Sequence, residues 1–270
     1  MRLIILNGFD RSGTSLVGGL LSKHPQINYF FQPFSSTEIH KSQYQPWASS
    51  EHHPATQSFL QAMQEGRIKR DYIASDWFER FSDYDLENTQ SVGIIKETKL
   101  HTKIEWLKNT FPDIEVYGIW RNPRAVLCSL IRNGFHEKWY GDEAFEATCT
   151  LVREDERLEA LLPFLDERLS GEARMALIFA ARTQLLMLSL CPDKWLVYEQ
   201  VLSNPDNILN RFCRGLGLDE FRFSEWCGKD YNVVGLPYQR QDLWKTYFNG
   251  TVPVQVEQII GSMNNVPDAA

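Results

Sequence analysis

Three short stretches of the chain concentrate side chains that can bind or stabilise an anion. The first is Gly8-Phe9-Asp10-Arg11-Ser12-Gly13-Thr14-Ser15. Its spacing is that of a phosphate-binding loop, G-x-x-x-x-G-K-[ST], with Gly8, Gly13 and Ser15 in register and Thr14 where the lysine would stand. Glycines at both ends let backbone N–H groups approach an anion closely, at the N-terminus of a helix. The cation has moved inside the loop, to Arg11. A guanidinium forks onto two oxygens of one phosphate-like group, where an ammonium acts as a point charge. The second stretch is Arg121-Asn122-Pro123 with Ser129 eight residues after the arginine. A strand-end arginine and a serine two turns into the next helix form a clamp for a second anion. The third is Lys96, closing the apolar run in GIIKETKLH. On these residues alone the competing readings stay open: a tight turn with a surface arginine, a salt-bridged Arg121 beside an inert Ser129, and a surface lysine.

The elements that must position these residues alternate between strand and helix. Leu3–Leu6 is a short apolar run ending at Asn7-Gly8 and reads as a buried strand. A helix follows over residues 14–23, stopped at His24-Pro25. Gly18 and Gly19 inside it each cost about 1 kcal/mol against alanine, which points to close packing of helix on sheet. Further strands are expected at Ile27–Phe31, Val92–Lys96, Glu115–Trp120 and Trp195–Tyr198. Helices are expected at 56–65, 71–81, Lys103–Thr110, from Pro123 with Asn122 as its cap, across 142–190 with breaks near Pro163 and Ser170-Gly171, and at Asp206–Gly215. Residues 35–55 read as a long loop and the tail as irregular. Strands separated by helices, with no hairpin signal, imply a parallel sheet covered on both faces. Ligands of such sheets bind beyond the carboxyl ends of the strands. That rule selects the loops at 7–15, 32–40, 96–101 and 121–124, which carry the three stretches above.

Composition narrows the classes. With 43% hydrophobic residues, 8 Trp and 16 Phe, the 270-residue chain is globular rather than disordered. A net charge of −7 argues against general attraction to nucleic acid or anionic membranes, so an anionic ligand must be held by a local cluster of cations. Five cysteines without a C-x-x-C pair read as reduced thiols of a cytoplasmic protein rather than a zinc site. The apolar run at Leu3–Leu6 is too short for a signal peptide, and no stretch is long enough to span a bilayer.

Taken together, the blocks resemble sulfotransferases that use 3′-phosphoadenosine 5′-phosphosulfate (PAPS). Arg11-Ser12-Gly13-Thr14-Ser15 is similar to their RSGTT or RSGTS 5′-phosphosulfate loop. Arg121-Asn122-Pro123 with Ser129 is similar to their 3′-phosphate motif, within FPDIEVYGIWRNPRAVLCSL at 111–130. HPQINYFFQPF at 24–34 resembles their H-P…E-P-F, and VYEQVLSNPDNILNRFCRGLGL at 197–218 their Y-E-D-L…F-L-G-L segment. The resemblance covers roughly residues 2–135 and 195–218. It implies a single sulfotransferase domain over 1–270, with a three-layer α/β/α fold, a central, mainly parallel sheet and kinship to P-loop NTPases. It implies transfer of a sulfuryl group from PAPS to a hydroxyl of a small-molecule, lipid or glycan acceptor, releasing 3′-phosphoadenosine 5′-phosphate (PAP), without magnesium. By the same resemblance Arg11 contacts the oxygen bridging phosphate and sulfate, and Lys96 reaches the sulfuryl group. Backbone N–H groups of Ser12, Gly13, Thr14 and Ser15 bind the 5′-phosphate, Arg121 and Ser129 bind the 3′-phosphate, and Tyr198 lies near the adenine.

Departures from the pattern concern the base that takes the acceptor proton. Cytosolic members carry histidine in K-T-H where this chain reads Lys96-Glu97-Thr98. Others carry a glutamate after the second strand, where Gln32 stands. The titratable groups left in the strand-end loops are Glu38, His40, Glu97 and His101. Glu38 is the first candidate, because its loop is free to fold back over the sulfuryl group. His40 is second, with an ordinary pKa suited to neutral pH. Glu97 is expected to face away from Lys96 by strand alternation, and His101 to cap a helix. Arg240, in Gln239–Lys245, is the nearest match to the family's C-terminal 3′-phosphate segment. Phe34, Tyr44, Trp47, Trp77 and Phe78 are expected to line an acceptor pocket suited to a sugar ring or an aromatic alcohol. Two alternatives stand beside this reading. A divergent P-loop kinase or nucleotide-binding protein needs a carboxylate for Mg²⁺ where the fourth strand ends in Trp120-Arg121. An inactive PAPS-binding module is motivated by the missing base.

Overall fold

Arg2–Asn7 forms β1, and its side chains alternate between two apolar layers. Leu3 and Ile5 face Phe30, Ile95 and Val116, whereas Ile4 and Leu6 face Tyr29, Ile94 and Ile119. A strand buried on both faces reads as the unbroken apolar run seen in the sequence. The computed structural model describes residues 1–36, 53–65, 91–165, 168–227, 243–248 and 251–263. Among them, β1 is joined by β2 (Ile27–Phe31), β3 (Val92–Glu97), β4 (Glu115–Trp120) and β5 (Trp195–Val197). All pairings are parallel, in the order β2-β3-β1-β4-β5.

That order decides which loops can cooperate. Because β1 lies between β3 and β4, the loop after β1 is flanked by those carrying Lys96 and Arg121. The register runs from Arg2↔Val92 to Asn7↔Glu97, and Phe31 lies opposite Lys96.

The helices are α1 (Thr14–Leu21), α2 (His53–Gln64), α3 (Ile104–Thr110), α4 (Pro123–Arg132), α5 (Phe135–Lys138), α6 (Asp142–Glu154), α7 (Gly171–Ser189), α8 (Tyr198–Ser203), α9 (Pro205–Gly215), α10 (Leu243–Tyr247) and α11 (Val254–Gly261). Helices α1 and α9 cover one face of the sheet; α2, α3 and Leu186 of α7 cover the other. This is the expected three-layer arrangement. A third apolar cluster gathers α4, α6, α7 and α11 around Phe9 and Trp120.

Local chemistry explains several boundaries. The Asn122 side chain accepts from Arg124 N at 3.0 Å, with Pro123 at the first helical position, as the sequence implies. Pro163 falls in a 3₁₀ segment, Glu156–Phe164, that separates α6 from α7. Gly18 explains the cost of glycine in α1: a Cβ there would lie 2.4 Å from the Tyr29 ring. Two expectations are corrected. Tyr198 opens α8 rather than closing β5, a three-residue strand that among the described residues pairs only with β4. The tail is not irregular throughout, since α11 inserts Val256 and Ile259 into the third cluster. An eight-residue helix is too short for periodicity to register clearly. The expected helix at 71–81 lies outside the described residues.

Candidate active site

The loop after β1 leaves the strand at Asn7 and turns sharply. Gly8 has no room for a side chain, because a Cβ would lie 2.8 Å from Thr14 Cγ2 and 3.0 Å from the Ile119 carbonyl. Phe9 drops into the core, its ring 5.2 Å from Phe179 and 5.3 Å from Tyr140. Ser12 N donates to Phe9 O at 3.0 Å and closes the turn. Arg11 takes a positive φ of 69° and Gly13 one of 92°. Among the described residues only Arg11 and Gln32 are non-glycine residues in this region, and both stand at strand-end loops. Left-handed backbone at a side-chain-bearing residue costs about 1–3 kcal/mol and concentrates at functional sites.

The residues singled out from the sequence meet around this turn. Arg11 Nε donates to Ser129 Oγ at 3.0 Å, from α4. A guanidinium nitrogen of Arg121 donates to the Arg11 carbonyl at 2.9 Å. The Arg121 guanidinium also lies 4.6 Å from the centroid of the Tyr198 ring. That ring covers Gly13 so closely that a Cβ on Gly13 would lie 2.1 Å from it. The two clamps described as separate from the sequence are therefore joined, since Ser129 of the second bonds to Arg11 of the first. Burial, and then the positive charge of Arg121, push the Arg11 pKa down. Two guanidinium groups brought together in a buried site repel unless an anion lies between them.

Donors remain for such an anion. Arg121 Nε is buried with no hydrogen-bond partner. Gly13, which caps α1, brings no side-chain acceptor to the first turn, so the N–H groups there call for another acceptor.

Lys96 closes the site on the β3 side. It is buried rather than a surface lysine, its amine 4.2 Å from the Phe31 ring centroid. Burial lowers its pKa, against the opposing charges of Asp10 and Glu97. Strand β3 runs one residue beyond the expected end, so Glu97 does face the opposite layer from Lys96. One Glu97 carboxylate oxygen accepts from Phe34 N at 2.9 Å; the other is buried without a partner, and burial pushes the pKa up.

Gln32 and Thr98 meet each other: Gln32 Nε2 donates to Thr98 Oγ1 at 3.0 Å. A neutral amide–hydroxyl pair thus fills the place where these two positions converge. His101 does not cap α3, whose cap position is Lys103. It is buried against Phe9 and Arg182, and burial followed by the Arg182 charge drives its pKa well down, leaving the ring neutral. Phe34 is a core residue packed on Phe59 at 4.9 Å, not a pocket wall. Glu38, His40, Tyr44, Trp47, Trp77, Phe78 and Arg240 lie outside the described residues.

Four residues to which sequence reasoning gave no role meet at the loop: Asp10 within it, and Lys99, Tyr140 and Arg182 beside it, form a largely buried polar group next to Arg11. One signal was available: Arg182 interrupts the apolar stretch ALIFAARTQLL of α7 with a charge.

Lys103, fully buried nearby, gives a stability prediction. Burial and the Arg182 charge lower its pKa to about 7, from 10.5 when exposed. Between those values the unfolded chain binds a proton that the folded chain does not, so this residue makes stability rise with pH. Lys103→Met is expected to raise the urea midpoint at pH 7 and to flatten its climb from pH 7 to 10, compared with the unsubstituted protein. An unchanged slope would show that the lysine is charged when folded.

With the geometry in place, comparison with known proteins decides the family. The model of the sulfotransferase family matches residues 4–222. The chain belongs to the sulfotransferase family. No curated protein sequence matches it significantly. Among solved structures, this sulfotransferase is similar to the sulfotransferase domain from the curacin biosynthetic pathway, with a TM-score of 0.50 and 13% identity. That match covers 96% of this chain and 95% of the other. It is also similar to the sulfotransferase domain of the Synechococcus PCC 7002 olefin synthase, with a TM-score of 0.51, 15% identity and coverage of 97% and 92%. These likenesses support the fold. Among the described residues of this sulfotransferase, no helix is long and apolar enough to cross a membrane. No described group of three His, Cys, Asp or Glu residues is placed to hold a metal ion.

Proposed function

We propose that this sulfotransferase moves a sulfuryl group from PAPS to a hydroxyl of a small-molecule, lipid or glycan acceptor, releasing PAP. The observation that carries the reading is the meeting of Arg11, Ser129, Arg121, Tyr198 and Gly13 at the N-terminus of α1. These residues fit the donor. Ser12 N–H is committed to Phe9 O, so of the loop residues 12–15 the backbone N–H groups of Gly13, Thr14 and Ser15 bind the 5′-phosphate, Arg121 Nε and Ser129 bind the 3′-phosphate, and Tyr198 lies near the base. When bound, PAPS supplies the activated S–O bond. Arg11 then stabilises the negative charge that grows on the bridging oxygen as that bond breaks, and Lys96 neutralises charge on the sulfuryl oxygens.

For the acceptor proton, Gln32 and Thr98 are neutral and bonded to each other, and Glu97 is buried on the opposite face of β3. The proposal therefore keeps Glu38 first and His40 second as the base. Alanine at each is expected to lower turnover without weakening PAP binding; near-normal turnover in both would contradict the assignment.

A direct assay tests the reaction type. PAP release from PAPS is expected to continue in EDTA, with ATP unable to replace the donor. ATP-dependent phosphorylation abolished by EDTA would favour phosphoryl transfer instead.

A further inference from the structure

The strained turn at Arg11 is held by more than its own partners. One oxygen of the Asp10 carboxylate accepts from the Lys99 amine at 2.8 Å and from the Tyr140 hydroxyl. Lys99 also donates to the Tyr140 oxygen at 2.8 Å, closing a triangle. Arg182 of α7 backs it: one nitrogen reaches the Tyr140 oxygen at 3.4 Å and another donates to the Thr98 carbonyl at 2.7 Å. Its guanidinium lies 4.9 Å from the centroid of Phe9, the residue before Asp10. Three elements, the β3–α3 turn, the α5–α6 connection and α7, thus converge on residues 9 and 10.

Such an arrangement is a poor device for stability alone. Desolvating a buried ion pair offsets most of what its attraction returns, and apolar residues of similar volume often do as well. Its position carries the meaning, because Asp10 immediately precedes Arg11, whose backbone is left-handed. Asp10 fixes the turn before the strained residue, and Arg121 fixes it after, at the Arg11 carbonyl. A strained residue persists only where its surroundings over-determine it.

We propose that Asp10, Lys99 and Tyr140, backed by Arg182, are positioning residues that hold the loop so that the Arg11 guanidinium meets the transferring group. The proposal rests on the catalytic reading of Arg11, and its test separates the two. Asp10→Asn is expected to lower kcat by about 10²-fold, the scale of a small misplacement of a catalytic group, with little change in donor KM. It also leaves the buried Lys99 charge without its counter-ion and destabilises the fold. Tyr140→Phe keeps the ion pair and is expected to lower kcat by about 3- to 10-fold. The double variant Asp10→Asn/Lys99→Met removes both charges; its urea midpoint is expected to recover while turnover stays low. Turnover recovering together with stability would overturn the proposal, as would an unchanged kcat in Asp10→Asn. Amide hydrogen exchange in the unliganded protein gives a readout independent of activity. Exchange at residues 11–14 is expected to quicken in the double variant while β1 stays protected, and equal exchange there would overturn the proposal. Quickened exchange in a protein whose unsubstituted form transfers no sulfuryl group would uphold the strut and overturn the functional reading instead.

Discussion

Replacing Arg11 by alanine is expected to lower the turnover number by roughly 10²-fold or more, the scale for losing one preorganised charge stabiliser. The loop's other supports remain: Arg121 bonds to the residue's carbonyl, and Asp10 keeps Lys99 and Tyr140. Folding and donor binding should therefore survive while the chemical step slows. The substitution also relieves the pressure of two neighbouring guanidinium groups, so its effect belongs to the transition state rather than to stability. Arg11→Lys should recover little, because a lysine is a point charge on a flexible stem and cannot reproduce the fork between Ser129 and the reacting group. Initial rates of PAP release at saturating donor, with urea unfolding of each variant, check this. A variant with undiminished turnover would remove Arg11 from the chemistry.

Arg121→Ala should act on selectivity. PAP carries its second phosphate on the 3′ oxygen, where ADP carries it on the 5′ chain, and Arg121 is the strand-end cation with a buried, unpartnered N–H. Charge-assisted bonds to such a group are worth about 1.5–3 kcal/mol, so PAP is expected to lose about 10- to 100-fold in affinity while ADP changes little. The variant also loses the contacts to the Arg11 carbonyl and the Tyr198 ring; any loosening of the loop acts on both nucleotides, so the ADP titration measures it and the excess loss for PAP reads the 3′-phosphate contact. Ser129→Ala should cost less, since its hydroxyl is already shared with Arg11. Calorimetric titration of both nucleotides into both variants decides. Equal affinity for PAP and ADP in the unsubstituted protein would sink the assignment.

The frame of the site was legible because its signals are local. β2 and β4 occupy the spans their apolar runs define, and Asn122-Pro123 marks its helix start by capping chemistry. The loop glycines announce tight backbone, and Gly13 has it at φ 92°. What stayed hidden depends on partners far along the chain. The Asp10–Tyr140 contact spans 130 residues and Arg11–Ser129 spans 118, and residue types alone do not say which polar groups a fold brings together. Gln32 and Thr98 were visible as departures from a pattern, but their mutual bond across 66 residues was not. Phe34 illustrates the reverse error. An aromatic residue in a strand-end stretch reads as pocket lining, yet the adjacent α2 buries it.

The central claim, sulfuryl transfer from PAPS, is tested most directly by following the label from PAPS carrying radioactive sulfur into a metabolite extract. The account predicts labelled products that form with the unsubstituted protein, persist in EDTA and fall with Arg11→Ala. Stoichiometric PAPS binding with no label leaving the donor would contradict it and leave a binding module in place of an enzyme.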